Sequence, residues 1–210
     1  MAALALAACG HVDQGATESP TERLTEQSSI DSPKEGLADF LDCMRQIQYD
    51  YEPADTPAAL AAEADAVVMG TMVALRPGQY APSPRSSPDW ATSVLEVSVD
   101  QVLAGDAAVA AGSSVYIEVP TFDHAPCPAT VPEAYGVFFL DDRTNEPYSG
   151  TVLDEGAGRP KAARLTAPFV QGFLIEDADN NLVSVWESFE LMPPAWRGLD
   201  SVEDVLVKLG

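Results

Sequence analysis

The chain has 210 residues, 33 of them acidic and 11 basic, for a formal net charge of -22. A field of that sign repels phosphate backbones and anionic headgroups, which excludes nucleic acid as a partner and excludes electrostatic adsorption to a membrane. An apolar fraction of 46% is enough for a sizeable core, and the length suits one domain plus a tail.

The N-terminus runs Met-Ala-Ala-Leu-Ala-Leu-Ala-Ala-Cys-Gly. Leu6-Ala7-Ala8-Cys9 resembles the lipobox of bacterial lipoproteins. The resemblance implies cleavage before Cys9 and a diacylglycerol on its thiol. Small residues at Ala7 and Ala8 suit an extended chain entering a narrow peptidase site. Two acyl chains anchor stably, where an acidic body would not adsorb unaided. Only eight residues precede Cys9, and none is Lys or Arg. A secretory signal has a basic n-region, so the expected start lies upstream and residues 1–9 form a truncated signal. Residues 10–32 are polar and lack aliphatic periodicity, which predicts a flexible tether.

Residues 33–210 are expected to form a single β-rich domain with helical elements at both ends. Ser32-Pro33-Lys34-Glu35 has the form of a capping box with Pro at the first helical position, and predicts a helix from there. Leu37, Phe40, Leu41, Met44 and Ile47 would form its apolar stripe. Thr56 is expected to cap a second helix from Pro57 to about Glu63. The period then changes. The run 66–75 reads as a strand ended by Pro77-Gly78, and the Pro- and Ser-rich stretch 79–89 as a loop. Strands follow over 94–102, 115–119 and 136–140, with a turn at Gly105-Asp106 and a Pro-rich loop over 120–134. Residues 170–175 and 182–186 flank an acidic turn and predict a hairpin. Ser201-Val202-Glu203-Asp204 should cap a last helix carrying Val202, Val205, Leu206 and Leu209. The order is two helices, six or seven strands and a helix, with no internal repeat. Short antiparallel strands of this kind predict a mainly β fold, a small barrel or sandwich.

The segments "Ala-Asp-Ala-Val-Val-Met-Gly-Thr-Met-Val", "Val-Leu-Glu-Val-Ser-Val-Asp-Gln-Val-Leu-Ala-Gly", "Val-Tyr-Ile-Glu-Val" and "Tyr-Gly-Val-Phe-Phe-Leu" are similar to OB-like barrels of secreted proteins. These include the inhibitory domain of tissue inhibitors of metalloproteinases and the netrin module. The resemblance covers roughly residues 64–141 and implies a small OB-like antiparallel barrel with N-terminal helices and a C-terminal helix. In those inhibitors an N-terminal Cys chelates the protease zinc. Here the N-terminal Cys is Cys9, far from the barrel and expected to be acylated, so that mechanism does not carry over.

Cys43 and Cys127 remain in the mature domain, and an oxidising compartment favours a bridge between them. Buried free thiols or a partner-facing thiol are the alternatives. His124 and Cys127 have spacing for two zinc ligands, but a second pair is absent. A Cys127–His124 nucleophile lacks an orienting third group, and an acidic setting disfavours the thiolate. Asp177, Asp179 and Asn181 resemble the opening of a calcium loop. Leu182 replaces its glycine and Ser188 its bidentate glutamate, so a tight turn is expected, with weak calcium binding as the alternative. The Gly156–Lys161 stretch fits no phosphate loop, and Arg159, Lys161 and Arg164 read as a solvated cluster. Trp90, Trp186 and Trp196 could stack on a sugar, but such residues more often fill a core.

No catalytic residue, metal or cofactor is implied. The expected function is that of an extracytoplasmic, lipid-anchored binding protein, its partners the membrane lipid through Cys9 and an envelope or extracellular protein. The alternatives are an accessory subunit of an envelope complex and a hydrolase with an unrecognised acidic site. A binding module should expose an apolar patch. An enzyme should hold a concave pocket with a displaced carboxylate.

Overall fold

In the computed structural model, the described residues are 36–46, 49–81, 90–110, 112–121, 131–144 and 157–210. They belong to one compact unit, Asp31–Gly210. The Ser32–Glu35 box, the 10–32 tether and most of the 79–89 and 120–134 stretches lie outside them.

The fold is mainly antiparallel β with a few short helices. Its elements are α1 (Leu37–Met44), α2 (Pro57–Glu63), β1 (Ala66–Ala81), β2 (Trp90–Gly105), a 3-10 turn (Ala107–Val109), β3 (Ser114–Thr121), β4 (Tyr135–Asp142), β5 (Thr166–Glu176), β6 (Leu182–Ser184) and α3 (Val202–Leu209). The six strands form one sheet in the order β3-β2-β1-β4-β5-β6, and β3 also bridges β5 in parallel at Ile117↔Thr166.

The strand sequences explain why both faces of this sheet are covered. On β4, Phe138 and Leu140 face one apolar cluster while Val137 and Phe139 face another. Alternation along the strand points successive side chains to opposite faces, so a continuous apolar run needs two cores. The first core collects Val68, Leu95, Ile117, Phe138 and Phe173 and is covered by Phe40 and Met44 of α1. Phe40 meets Phe173 edge-on, with ring centroids 6.4 Å apart. The second core lies over β1, β4 and β5. Leu60 of α2, Trp196 and Val202 and Val205 of α3 cover it.

Two sequence expectations need correction. The first helix begins at Leu37, and its N-cap is Gly36, with φ at 89° and no side-chain cap. It ends at Met44, and Ile47 lies outside the described residues. Pro77-Gly78 does not end β1, which runs on to Ala81. Pairing with β4 stops at Thr71↔Tyr135, and beyond it β1 pairs with β2 alone among the described residues. A proline is tolerated on such an open flank. Gly78 allows a close approach. A Cβ there would lie 2.4 Å from Thr92 Oγ1. The Gln79 N–H donates to that same oxygen at 2.9 Å.

The two later caps form as expected. The Thr56 hydroxyl accepts from Ala59 N–H at 3.0 Å. At Ser201 the full capping box is present. Ser201→Ala should cost about 1 kcal/mol in urea unfolding. The Ser201 hydroxyl also holds the Asp204 carboxyl below its ordinary range. A carboxyl depressed in the folded state contributes fully above its unfolded value, and that contribution fades as pH falls through the folded value. Asp204→Asn should therefore remove part of the acid sensitivity of the melting temperature.

Candidate functional site

A concave cleft of about 360 Å3 opens beside the N-terminal half of β5. One wall is the extended segment that joins α1 to α2, here called the strap, which contributes Tyr49, Tyr51 and Glu52. Leu60 and Glu63 of α2 line it, and the opposite wall is Pro168, Phe169 and Val170 of β5. Glu118 of β3, Arg143 after β4 and Trp186 after β6 complete it.

The strap has no regular pairing of its own, so side chains pin it. Ala54 N–H donates to Gln171 Oε1 at 2.6 Å, and Gln171 Nε2 donates to Ala54 O at 3.3 Å. The Trp196 Nε1–H donates to the same carbonyl at 2.9 Å. The Tyr51 hydroxyl donates to Glu187. A buried amide in an irregular segment must be satisfied, and Gln171 does this for both groups of Ala54.

The floor is aromatic. Tyr49 and Trp186 pack with tilted rings, centroids 4.8 Å apart, and Phe173 meets Trp186 edge-on at 5.3 Å. The Tyr49 hydroxyl and the Trp186 Nε1–H are buried and have no hydrogen-bond partner among the described residues. Burial pushes the Tyr49 hydroxyl far above its ordinary pKa, and burial followed by the Glu187 carboxylate does the same at Tyr51. A raised tyrosine keeps its contribution below its unfolded value near 10 and loses it as pH rises beyond. An unpaired buried hydroxyl costs about 1–3 kcal/mol. Tyr49→Phe should therefore raise stability, by about 1 kcal/mol in chemical denaturation.

Glu118 is buried at 9% exposure on the cleft wall. The Thr92 hydroxyl donates to its Oε1 at 3.0 Å while accepting from Gln79 N–H, giving a short polar chain across β1, β2 and β3. The one guanidinium lining the cleft, Arg143, pairs with Asp141 at 3.0 Å.

The residues singled out from sequence fall elsewhere. Cys43 sits on α1 and is disulfide-bonded; Cys9, His124 and Cys127 lie outside the described residues. Asp177, Asp179 and Asn181 come together as a turn between β5 and β6. Asp177 Oδ1 accepts from Asp179 N–H at 2.8 Å and Asn181 N–H at 2.9 Å, and Asn180 is left-handed at φ 64°. The carboxylate is thus spent on the turn. No group of three or more His, Cys, Asp or Glu suited to a metal ion occurs among the described residues. In the basic cluster, Arg159 donates to Ala163 O at 2.8 Å, and Arg164 bridges Asp106 and Asp142.

Trp186 and Trp196 do not form a platform. They lie in different cores, at 8% and 0% exposure. The side chain of Trp90 lies outside the described residues. Among the described residues, the large apolar side chains that are exposed, Val73, Leu191 and Val207, sit on three separate segments. The carboxyls displaced downward, Asp106 and Asp204, are outside the cleft. Sequence reasoning missed the cleft itself. Its residues stand at positions 49, 118, 143 and 186, on segments with no shared period. The one local signal was the Tyr49–Glu52 aromatic and acidic run after the first helix, which could have flagged a wall.

Among the described residues no helix is long and apolar enough to cross a membrane. No protein-family model, no curated protein and no solved structure matches the chain.

Proposed function

We propose that the chain is a lipid-anchored, extracytoplasmic binding protein whose recognition site is the cleft between the strap and β5. In this reading Cys9 carries the acyl anchor, and residues 10–32 hold the domain away from the bilayer. The observation that carries the location is the disulfide at Cys43. Such bridges persist in oxidising compartments and are rare in the cytosol. With Cys9 acylated, Cys127 is the cysteine left to partner it. We also read the sheet as a small OB-like barrel. The Ile117↔Thr166 bridge supports this, because it brings β3, an end strand of the sheet order, against β5. A concave, largely apolar cleft supports binding as the activity.

The test is mass spectrometry of the protein taken from its native membrane fraction. The expected result is an N-terminal peptide that begins at Cys9 and carries a diacylglyceryl group. A peptide linking Cys43 to Cys127 should also appear without reduction and vanish with it. A soluble form that retains Met1 and unmodified Cys9 would overturn the location.

A further inference from the structure

We propose that the cleft binds a small organic cation with an apolar body. The proposal rests on the cleft being the recognition site and names the class of ligand it takes.

The walls come first. Tyr49, Tyr51, Phe169 and Trp186 reach the cleft from three separated stretches of chain. Aromatic faces carry negative potential and attract a cation placed over the ring, most strongly once both are shielded from water. Leu60, Pro168 and Val170 offer apolar surface beside them. The charge follows the same direction. Glu52 and Glu63 stand exposed on the lining of the cleft. The net charge of -22 adds a long-range field that concentrates cations and repels anions.

An inorganic cation does not fit. The lining is mainly carbon, and hard cations need several oxygen ligands converging on one point. No metal-holding group occurs among the described residues. The cavity of about 360 Å3 is at the lower end of what encloses a small organic molecule.

The experiment uses the full chain and three benzyl probes: benzylammonium, its neutral isostere benzyl alcohol, and phenylacetate. Binding is read by calorimetry and by tryptophan fluorescence, since Trp186 lies in the floor. The cation should bind at least about tenfold more tightly than the alcohol, and phenylacetate more weakly than the alcohol. Added salt should weaken the cation alone. Glu52 and Glu63 are exposed, so the double variant Glu52→Gln/Glu63→Gln should keep its melting temperature. It should weaken the cation about fivefold and leave the alcohol unchanged. Equal or tighter binding of the alcohol or of phenylacetate overturns the cation class while leaving the cleft a recognition site. A double variant that binds the cation unchanged overturns the role of the rim carboxylates. Absence of saturation by any probe below about 10 mM overturns both the class and the site.

Discussion

Trp196→Ala should destabilise the protein by about 4 kcal/mol, one of the two largest losses expected of a single substitution here. The indole is fully buried and packs on Phe139 with centroids 6.0 Å apart. Removing it leaves a cavity between β4 and the segment leading to α3, and a large aromatic deletion costs both transfer energy and that void. It also removes the 2.9 Å donor to Ala54 O, which leaves that carbonyl with the longer bond from Gln171. The strap that walls the cleft is thereby loosened. Urea unfolding followed by circular dichroism checks the magnitude, with the slope unchanged if the denatured state is the same. A loss under about 1.5 kcal/mol would mean that the outer layer is not integral to the folded unit. Probe binding should weaken in the same variant, because Trp196 positions the strap without itself lining the cleft.

Gly105→Ala should cost about 3 kcal/mol or more, by a different mechanism. Gly105 ends β2 with φ at +80°. A side chain in the left-handed region costs about 1–2 kcal/mol. The new Cβ would also lie 2.1 Å from Asp65 O and 2.7 Å from Asp65 C, both backbone atoms that cannot swing aside. That carbonyl accepts from Asp106 N–H at 2.7 Å, so retreat would break the bond that fixes the start of β1 against the end of β2. Asparagine tolerates a left-handed backbone, yet its Cβ meets the same oxygen. Gly105→Asn should therefore rescue little, and thermal unfolding of the two variants side by side separates conformational strain from collision. Near-wild-type stability of the Asn variant would assign the cost to φ alone.

Turn chemistry and caps were legible in the sequence because their causes are local. Thr56 and Ser201 each satisfy an amide three residues on, and Gly105-Asp106 turns the chain within its own neighbourhood. The strands were legible because apolar runs such as Val137–Leu140 have few other places to go. The missed features depend on distant residues. The first helix is set at Leu37–Met44, where Phe40 and Met44 pack into the first core, and Ser32 lies outside the described residues. Pro77-Gly78 had the form of a break, but β2 supplies Thr92 at a distance that only a glycine admits.

By itself the sequence determined the mainly β class, the helices on either side of the strands, the hairpin around Asp177–Asn181 and the strongly negative net charge. Tertiary structure alone decided how many cores those strands bury and which residues meet. Trp186 and Trp196, ten positions apart, part into separate clusters. Tyr49, Glu118, Arg143 and Trp186 converge on one cleft. The physical reason is the range of the interactions. A cap or a turn is decided within about four residues. A cleft is decided by which strand edges and connecting segments the packed sheet brings face to face.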